Sequence, residues 1–111
     1  MRITAALLIA LFAIIGTTSA IDIGITSPKD GDSFNLTESL KIPIRSHVID
    51  DNGNSDFRVR TYIDGELNKN SNWHPPGAGI YEIECRIIML DENYAPTGEI
   101  IYSDPVTITV K

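Results

Sequence analysis

The chain has almost nothing that could cross-link it or carry out chemistry. Cys85 is the single cysteine among 111 residues, so no internal disulfide can form. No phosphate-binding glycine loop, nucleophile motif or zinc-ligand spacing is present. The sequence therefore predicts neither an enzyme nor a cofactor. Cys85 is expected to be a buried thiol within a strand, with a reactive or intermolecular thiol as the alternative.

Basic residues are also scarce. Nine lysines and arginines stand against 15 aspartates and glutamates, which gives a formal net charge of −6. An acidic surface repels phosphate groups, so the composition argues against nucleic acid or an anionic membrane surface as the partner.

Long hydrophobic runs are absent except near the start. Arg2 precedes an apolar run over 5–15, and small residues lead to Ala20. This pattern predicts a cleavable export signal over residues 1–20, since about 20 apolar residues are needed to span a bilayer. An uncleaved anchor or a buried N-terminal helix is the alternative. Residues 21–111 then form one domain of net charge −7, secreted, extracellular or periplasmic, with no membrane insertion after cleavage.

After residue 20 the sequence shows no helical stripe. Apolar and polar residues alternate in steps of two, the period of a strand. The clearest inward face comprises Tyr81, Ile83, Cys85, Ile87 and Met89. Shorter alternating runs begin at Ile21, Leu40, Phe57 and Val106.

Turn signals separate these runs. Asp64-Gly65 predicts a hairpin, and Pro43 predicts a strand edge or a bulge because proline lacks a backbone donor. Residues 91–98 are expected to form a loop, followed by a short strand over 100–102. About seven short strands with such turns predict an all-β sandwich of antiparallel sheets.

The order of several segments carries a resemblance. They are Ile25–Gly31, Val59–Gly65, Trp73, Tyr81–Ile83 and Ser103–Val110. In this order and spacing the chain resembles the Ig-like modules of bacterial and archaeal surface and secreted proteins. The resemblance implies a Greek-key Ig-like β-sandwich, in which the Tyr81 hydroxyl bonds a nearby backbone group as a tyrosine corner. It implies little about function, because this architecture hosts many roles.

One loop is rich in oxygen ligands. Asp50, Asn52, Asn54 and Asp56 alternate within it, and Asp91 is expected at the same pole of the sandwich. Hard oxygen ligands suit calcium, so the sequence predicts a weak calcium site here. A solvated turn is the alternative, because Asp, Asn and Gly are also turn formers.

Charged residues on two strands are expected to face water. Glu82, Glu84 and Arg86 alternate with the inward residues of one strand, and Arg58 and Arg60 lie on its expected neighbour. The sequence predicts cross-strand ion pairs between them and no catalytic carboxylate pair.

A few further residues carry separate expectations. Asn35 begins an N-glycosylation sequon on a loop-like segment. His47 and His74 have no converging ligands and are not expected to bind zinc. Tyr94 and Tyr102 are expected to be exposed, whereas Trp73 is expected to pack on the core.

These features favour a secreted or surface Ig-like domain that binds a protein or glycan of the cell envelope, by loops or an exposed sheet edge. The sequence leaves the oligomeric state open, and donation of the strand over 21–25 to a neighbour is one alternative. A second alternative is a secreted protease inhibitor that uses loops at one pole. The chagasin-like inhibitors work in this way, but their loop motifs are not found in this sequence.

Overall fold

The structure is a computed structural model that describes residues 21–51, 53 and 56–111. Within those ranges the chain is all-β. Its strands are β1 (Ile21–Ser27), β2 (Ser33–Phe34), β3 (Ile42–Pro43), β4 (Arg45–Asp50), β5 (Phe57–Ile63), β6 (Glu66–Asn68), β7 (Asn72–Trp73), β8 (Gly79–Leu90), β9 (Pro96–Tyr102) and β10 (Val106–Val110). The predicted export signal over 1–20 lies outside the described residues.

The ten segments correspond to seven strands of a sandwich, because three of those strands are each divided into two segments. β1 and β2 belong to one path that changes sheets, β3 and β4 are divided at Ile44, and β9 and β10 lie along the same edge of β8. The largest sheet has the order β2-β10-β8-β5-β6, and its β2–β10 contact is parallel. β1 pairs with β4, and β3 pairs with β7, both antiparallel. The predicted Ig-like sandwich is confirmed.

The core consists of inward residues from both layers. One cluster includes Ile42, Ile63, Ile83 and Ile108, and the other includes Ile21, Ile23, Cys85 and Ile87. The partly buried Ile25 packs against both clusters. The inward face predicted for β8 is confirmed at its centre, where Ile83, Cys85 and Ile87 are fully buried. β1 thus contributes Ile21 and Ile23 to the core of its own domain.

Two boundaries differ from expectation or sharpen it. β9 begins at Pro96, so the loop predicted over 91–98 is shorter and the strand predicted over 100–102 is longer. Pairing with β8 accounts for this, because Leu90 lies opposite Pro96. Pro43, as predicted, ends β3 at the point where the chain changes partner from β7 to β1.

The predicted hairpin at Asp64-Gly65 also forms. Both residues have positive φ, 50° and 83°, as a two-residue turn between twisted strands requires. The turn is tied to β8 in both directions. Glu82 N–H donates to Asp64 Oδ1 at 2.8 Å, and Asp64 N–H donates to the Glu82 carbonyl at 2.9 Å.

Tyr81 forms the corner that the resemblance implied. Its hydroxyl donates to the Gly77 carbonyl at 2.7 Å. Its ring meets Trp73 edge to face, with 4.8 Å between centroids. The phenol therefore fixes the chain as it enters β8.

Removing this hydroxyl should destabilise the domain measurably. We expect Tyr81→Phe to lower the free energy of unfolding by about 1–2 kcal/mol, because a partly buried hydrogen bond is lost. Urea denaturation measures the change. Tyr94→Phe is the matched control, because Tyr94 is 64% exposed and its substitution should change stability by less than about 0.5 kcal/mol. Equal effects of the two substitutions would contradict the corner role.

Candidate binding surface

The outer face of the large sheet collects side chains that point away from the core. Strand register sets their order, because residues directly opposite each other share a face. Tyr62 lies opposite Glu84, Arg60 opposite Arg86, and Arg86 opposite Tyr102. One step further along, Arg58 lies opposite Ile88 and Ile88 opposite Ile100.

Arg86 lies at the centre of this face. Its guanidinium carbon is 3.8 Å from the centroid of the Tyr62 ring and 5.2 Å from that of Tyr102. Its Nε donates to Glu84 Oε1 at 2.7 Å. That carboxylate raises the pKa of Arg86. Three partners therefore hold a rotamer-rich side chain in one place, and each cation–π contact contributes roughly 0.5–1 kcal/mol at such exposure.

The predicted cross-strand ion pairs are wrong. The described residues show one salt bridge on this face, and it joins Glu84 and Arg86 of the same strand. The register explains the difference, because it sets Arg60 opposite Arg86 and gives Glu84 a tyrosine as its neighbour. Two like charges that face each other are unfavourable. Because Arg60 lies opposite Arg86 and not opposite a carboxylate, the surface around Arg60 is positively charged.

Much of this face is open to solvent. Tyr102 is 54% exposed and Ile100 is 39% exposed. We call Tyr62, Arg86, Ile88, Ile100 and Tyr102 the outer-face patch. The predicted exposure of Tyr94 and Tyr102 is confirmed, and Trp73 packs against the core as predicted. Tyrosine, arginine and isoleucine side by side form a surface of the kind that buries well against a protein partner.

The predicted calcium ligands are only partly described. Asn52 and Asn54 lie outside the described residues. Asp56 and Asp91 do lie at the same pole, since Leu90 N–H donates to the Asp56 carbonyl at 3.0 Å. Asp91 Oδ1 accepts hydrogen bonds from the N–H groups of Asn93 and Ala95, as in a turn. Across the described ranges no group of three His, Cys, Asp or Glu residues is placed to hold a metal ion. The calcium site stays a prediction.

The other predicted positions lie apart from the patch. Asn35 is exposed just after β2, where a glycan would have room, and its occupancy stays a prediction. His47 is exposed on β4. His74 contacts the Leu40 carbonyl through Nδ1 at 2.6 Å, which ties the segment after β7 to the segment before β3.

Cys85 is buried in the core, as predicted. Its Sγ lies 3.6 Å from Thr61 Oγ1. Burial raises the pKa of the thiol, and hydrogen bonds with Thr61 and Ser46 offset part of that rise. The side chain therefore packs as a neutral hydrophobe.

The raised pKa makes stability depend on pH. The unfolded thiol ionises at its ordinary pKa, whereas the folded one still holds its proton, so the stability from Cys85 is lost as the pH rises through the folded pKa. We expect the wild type to lose more unfolding free energy than Cys85→Ala between about pH 8 and pH 10. Urea denaturation across that range checks it. Equal losses of unfolding free energy in the two proteins would contradict a raised pKa of Cys85, since all other ionisable groups are present in both.

The fold and the surface together define an Ig-like β-sandwich module with an exposed Arg–Tyr face. Among solved structures, the chain is similar to fibronectin(III)-like modules of CbhA from Clostridium thermocellum, with a TM-score of 0.50 and 20% sequence identity. The match covers 86% of this chain and 47% of that chain, so the chain spans about half the length of the structure it matches. At this identity the likeness shows the fold alone.

Two further comparisons give no relative. No family model matches the sequence, and no curated protein matches it. Separately, no helix within the described ranges is long and apolar enough to cross a membrane.

Sequence reasoning missed the outer-face patch as a unit. It placed Arg86 among ion-pairing residues and Tyr102 among exposed ones, gave Ile100 a strand but no face, and left Ile88 unassigned. The available signal was the alternation of β8, which puts Arg86 and Ile88 on its outer face. The partners on β5 and β9 follow only from the register between strands.

Proposed function

We propose that this chain is exported and that its Ig-like domain is a non-catalytic binding module of the extracellular or periplasmic space. The observation that carries the proposal is Arg86 held between Tyr62 and Tyr102 on an exposed face. Tyrosine and arginine are the residues most enriched at binding hot spots. A side chain already fixed in place loses little entropy on binding, which favours affinity.

A protein suits this surface better than a glycan. Sugar rings stack on open aromatic faces, but Arg86 covers one face of Tyr62 at 3.8 Å. The aliphatic neighbours Ile88 and Ile100 add apolar area that a protein partner would bury. The proposed partner is therefore a protein of the cell envelope or its surroundings.

Capture with matched variants tests the proposal. The immobilised protein is incubated with solubilised envelope and culture supernatant of the producing organism. We expect specific species on the wild type and at least about a tenfold loss with Tyr102→Ser or Arg86→Ala, the cost of a hot-spot residue.

Leu36→Ser is the control for the capture experiment. Leu36 is 40% exposed just after β2, away from the outer-face patch, so this variant should retain the same species as the wild type. Thermal unfolding verifies that all variants are folded. The proposal fails if the patch variants and the Leu36 variant retain the same species equally.

A further inference from the structure

Among the described residues, β4 has a neighbouring strand on one edge only. It pairs with β1 along its length. On the other side, β7 pairs with β3 and ends where Ile44 N–H donates to the Ser71 carbonyl at 2.8 Å. In the part of the chain that the structure describes, no strand continues β7 along β4.

The backbone of β4 directs hydrogen-bonding groups to this open edge. Ile23 N–H is satisfied by Asp22 Oδ1 at 2.8 Å and so points away from β4. Val48 lies opposite Ile23. Antiparallel alternation then turns the N–H and carbonyl groups of Val48 and Ser46 away from β1. An edge of this kind is a template for another strand.

The facing sheet is uncovered at the same place. Val59 belongs to the inward face of β5, yet it is 40% exposed, whereas Ile63 on the same face is buried. β6 pairs with β5 only over 61–63, so within the described ranges no strand lies beside the first half of β5 on that side. The edge of β4 and the side chain of Val59 therefore open onto the same flank of the sandwich.

A groove of about 290 Å³ adjoins this flank at Ile44, the residue before β4. Ile44, Val59 and Thr61 line it, together with the connection over 67–71. Its ionisable residues are Arg60 and Lys69, whereas the domain over 21–111 carries a net charge of −7. The groove therefore favours a negatively charged ligand, although the rest of the domain surface repels negative charge.

The size and charge of the groove favour one extended acidic segment. A volume of about 290 Å³ admits a few side chains of such a segment, and Arg60 and Lys69 favour acidic ones among them.

We propose that one extended segment of a partner protein adds as a strand to β4, in line with β7, and enters the adjoining groove at Ile44. An apolar side chain of the segment packs on Val59, and an acidic one lies near Arg60 and Lys69. The inference rests on the proposed binding function and adds a second contact surface to it. This surface borders the outer face of the large sheet at Arg60, which lies opposite Arg86.

A synthetic peptide provides the probe. A peptide of alternating valine and glutamate, about eight residues long, covers β4 at roughly 3.3 Å per residue. Its titration is followed by the backbone amide NMR signals of the full protein. We expect saturable shifts at Ser46, Val48 and Val59 with a Kd of about 1 mM or tighter. A valine–lysine peptide of the same length should bind several-fold more weakly.

Two variants assign the binding to the groove. Lys69→Glu should weaken the valine–glutamate peptide by about three- to tenfold, whereas Lys111→Glu, an equal charge change at the C-terminus, should weaken it much less. Ser46→Pro, which removes one edge donor, should abolish the shifts that Ser46→Ala retains. If the proline variant does not fold, the lysine pair decides.

Three results would overturn the inference. They are no saturable shift at about 1 mM peptide, shifts confined to other residues, and equal binding by the two lysine variants. None of them bears on the proposed function, because capture by the outer-face patch is measured with different variants. If the patch variants lose capture but the peptide does not bind, the proposed binding function is supported and the strand-addition proposal is wrong.

Discussion

Shortening Ile83 to alanine should lower the free energy of unfolding by about 2–5 kcal/mol, the usual cost of truncating a fully buried isoleucine. Ile83 has no exposed surface and lies between Ile63 and Val106 in the register of the large sheet. Truncation of its side chain leaves a cavity between the large sheet and the opposite layer, beside Ile42 and Ile108. A domain of this size has a free energy of unfolding of about 5–15 kcal/mol, so much of its stability would be lost.

Ile80→Ala is the matched control for this substitution. Ile80 lies on the same strand but is 70% exposed, so the same chemical change should cost less than about 0.5 kcal/mol. Urea denaturation of the two variants at one pH gives the comparison. Similar losses would mean that the inward face of β8 is assigned to the wrong side.

Ser103→Ala should cost about 1–3 kcal/mol, although it removes a single oxygen. Ser103 is buried between β9 and β10, where the chain leaves the edge of β8. Its Oγ accepts from Cys85 N–H at 2.9 Å, and its own N–H donates to the Cys85 carbonyl at 2.8 Å. The side chain thus replaces a missing backbone partner, and alanine would leave the buried Cys85 N–H without one.

Hydrogen exchange separates this explanation from a general loss of packing. Ser103→Ala should speed up hydrogen exchange at the Cys85 amide more than at the amides of β5, because the substitution removes only the acceptor of the Cys85 amide. Ser33→Ala, at an exposed position of β2, should leave stability unchanged within about 0.5 kcal/mol. Unchanged stability and unchanged Cys85 exchange in the Ser103 variant would contradict the role given to its hydroxyl.

Strands with a strong alternating pattern could be predicted from the sequence. β8 is the clearest example, because its apolar residues alternate with charged ones from Tyr81 to Ile87. The Asp64-Gly65 turn and the Tyr81 corner could also be predicted, since each depends on chemistry within a few residues. Local signals of this kind carry most of the information on the Ig-like fold.

Features that depend on distant pairing could not be predicted. Residues 97–99 lack apolar alternation and lie at a register shift, so they belong to β9 only because Pro96 and Ile100 on either side of them pair with β8. The parallel contact of Thr109 with Ser33 joins segments far apart in the chain. The exposure of Val59 depends on how short β6 is, which the alternation of β5 does not encode.

The candidate site divides in the same way. The exposure of Tyr102 follows from its local pattern, but its neighbour Arg86 and the stacking of Arg86 on Tyr62 follow from two registers. The ion-pair prediction failed for the same reason, because a shift of one residue decides which charges face each other.

Photocrosslinking at Tyr102 in the producing cells tests most directly whether the outer-face patch binds a partner. A photoreactive benzoylphenylalanine replaces Tyr102 in one strain and Tyr94 in another, and both positions carry exposed tyrosines in the native chain. The patch account predicts a discrete protein adduct from position 102 and little or none from position 94. An adduct from position 94 alone, or equal adducts from both positions, would contradict it.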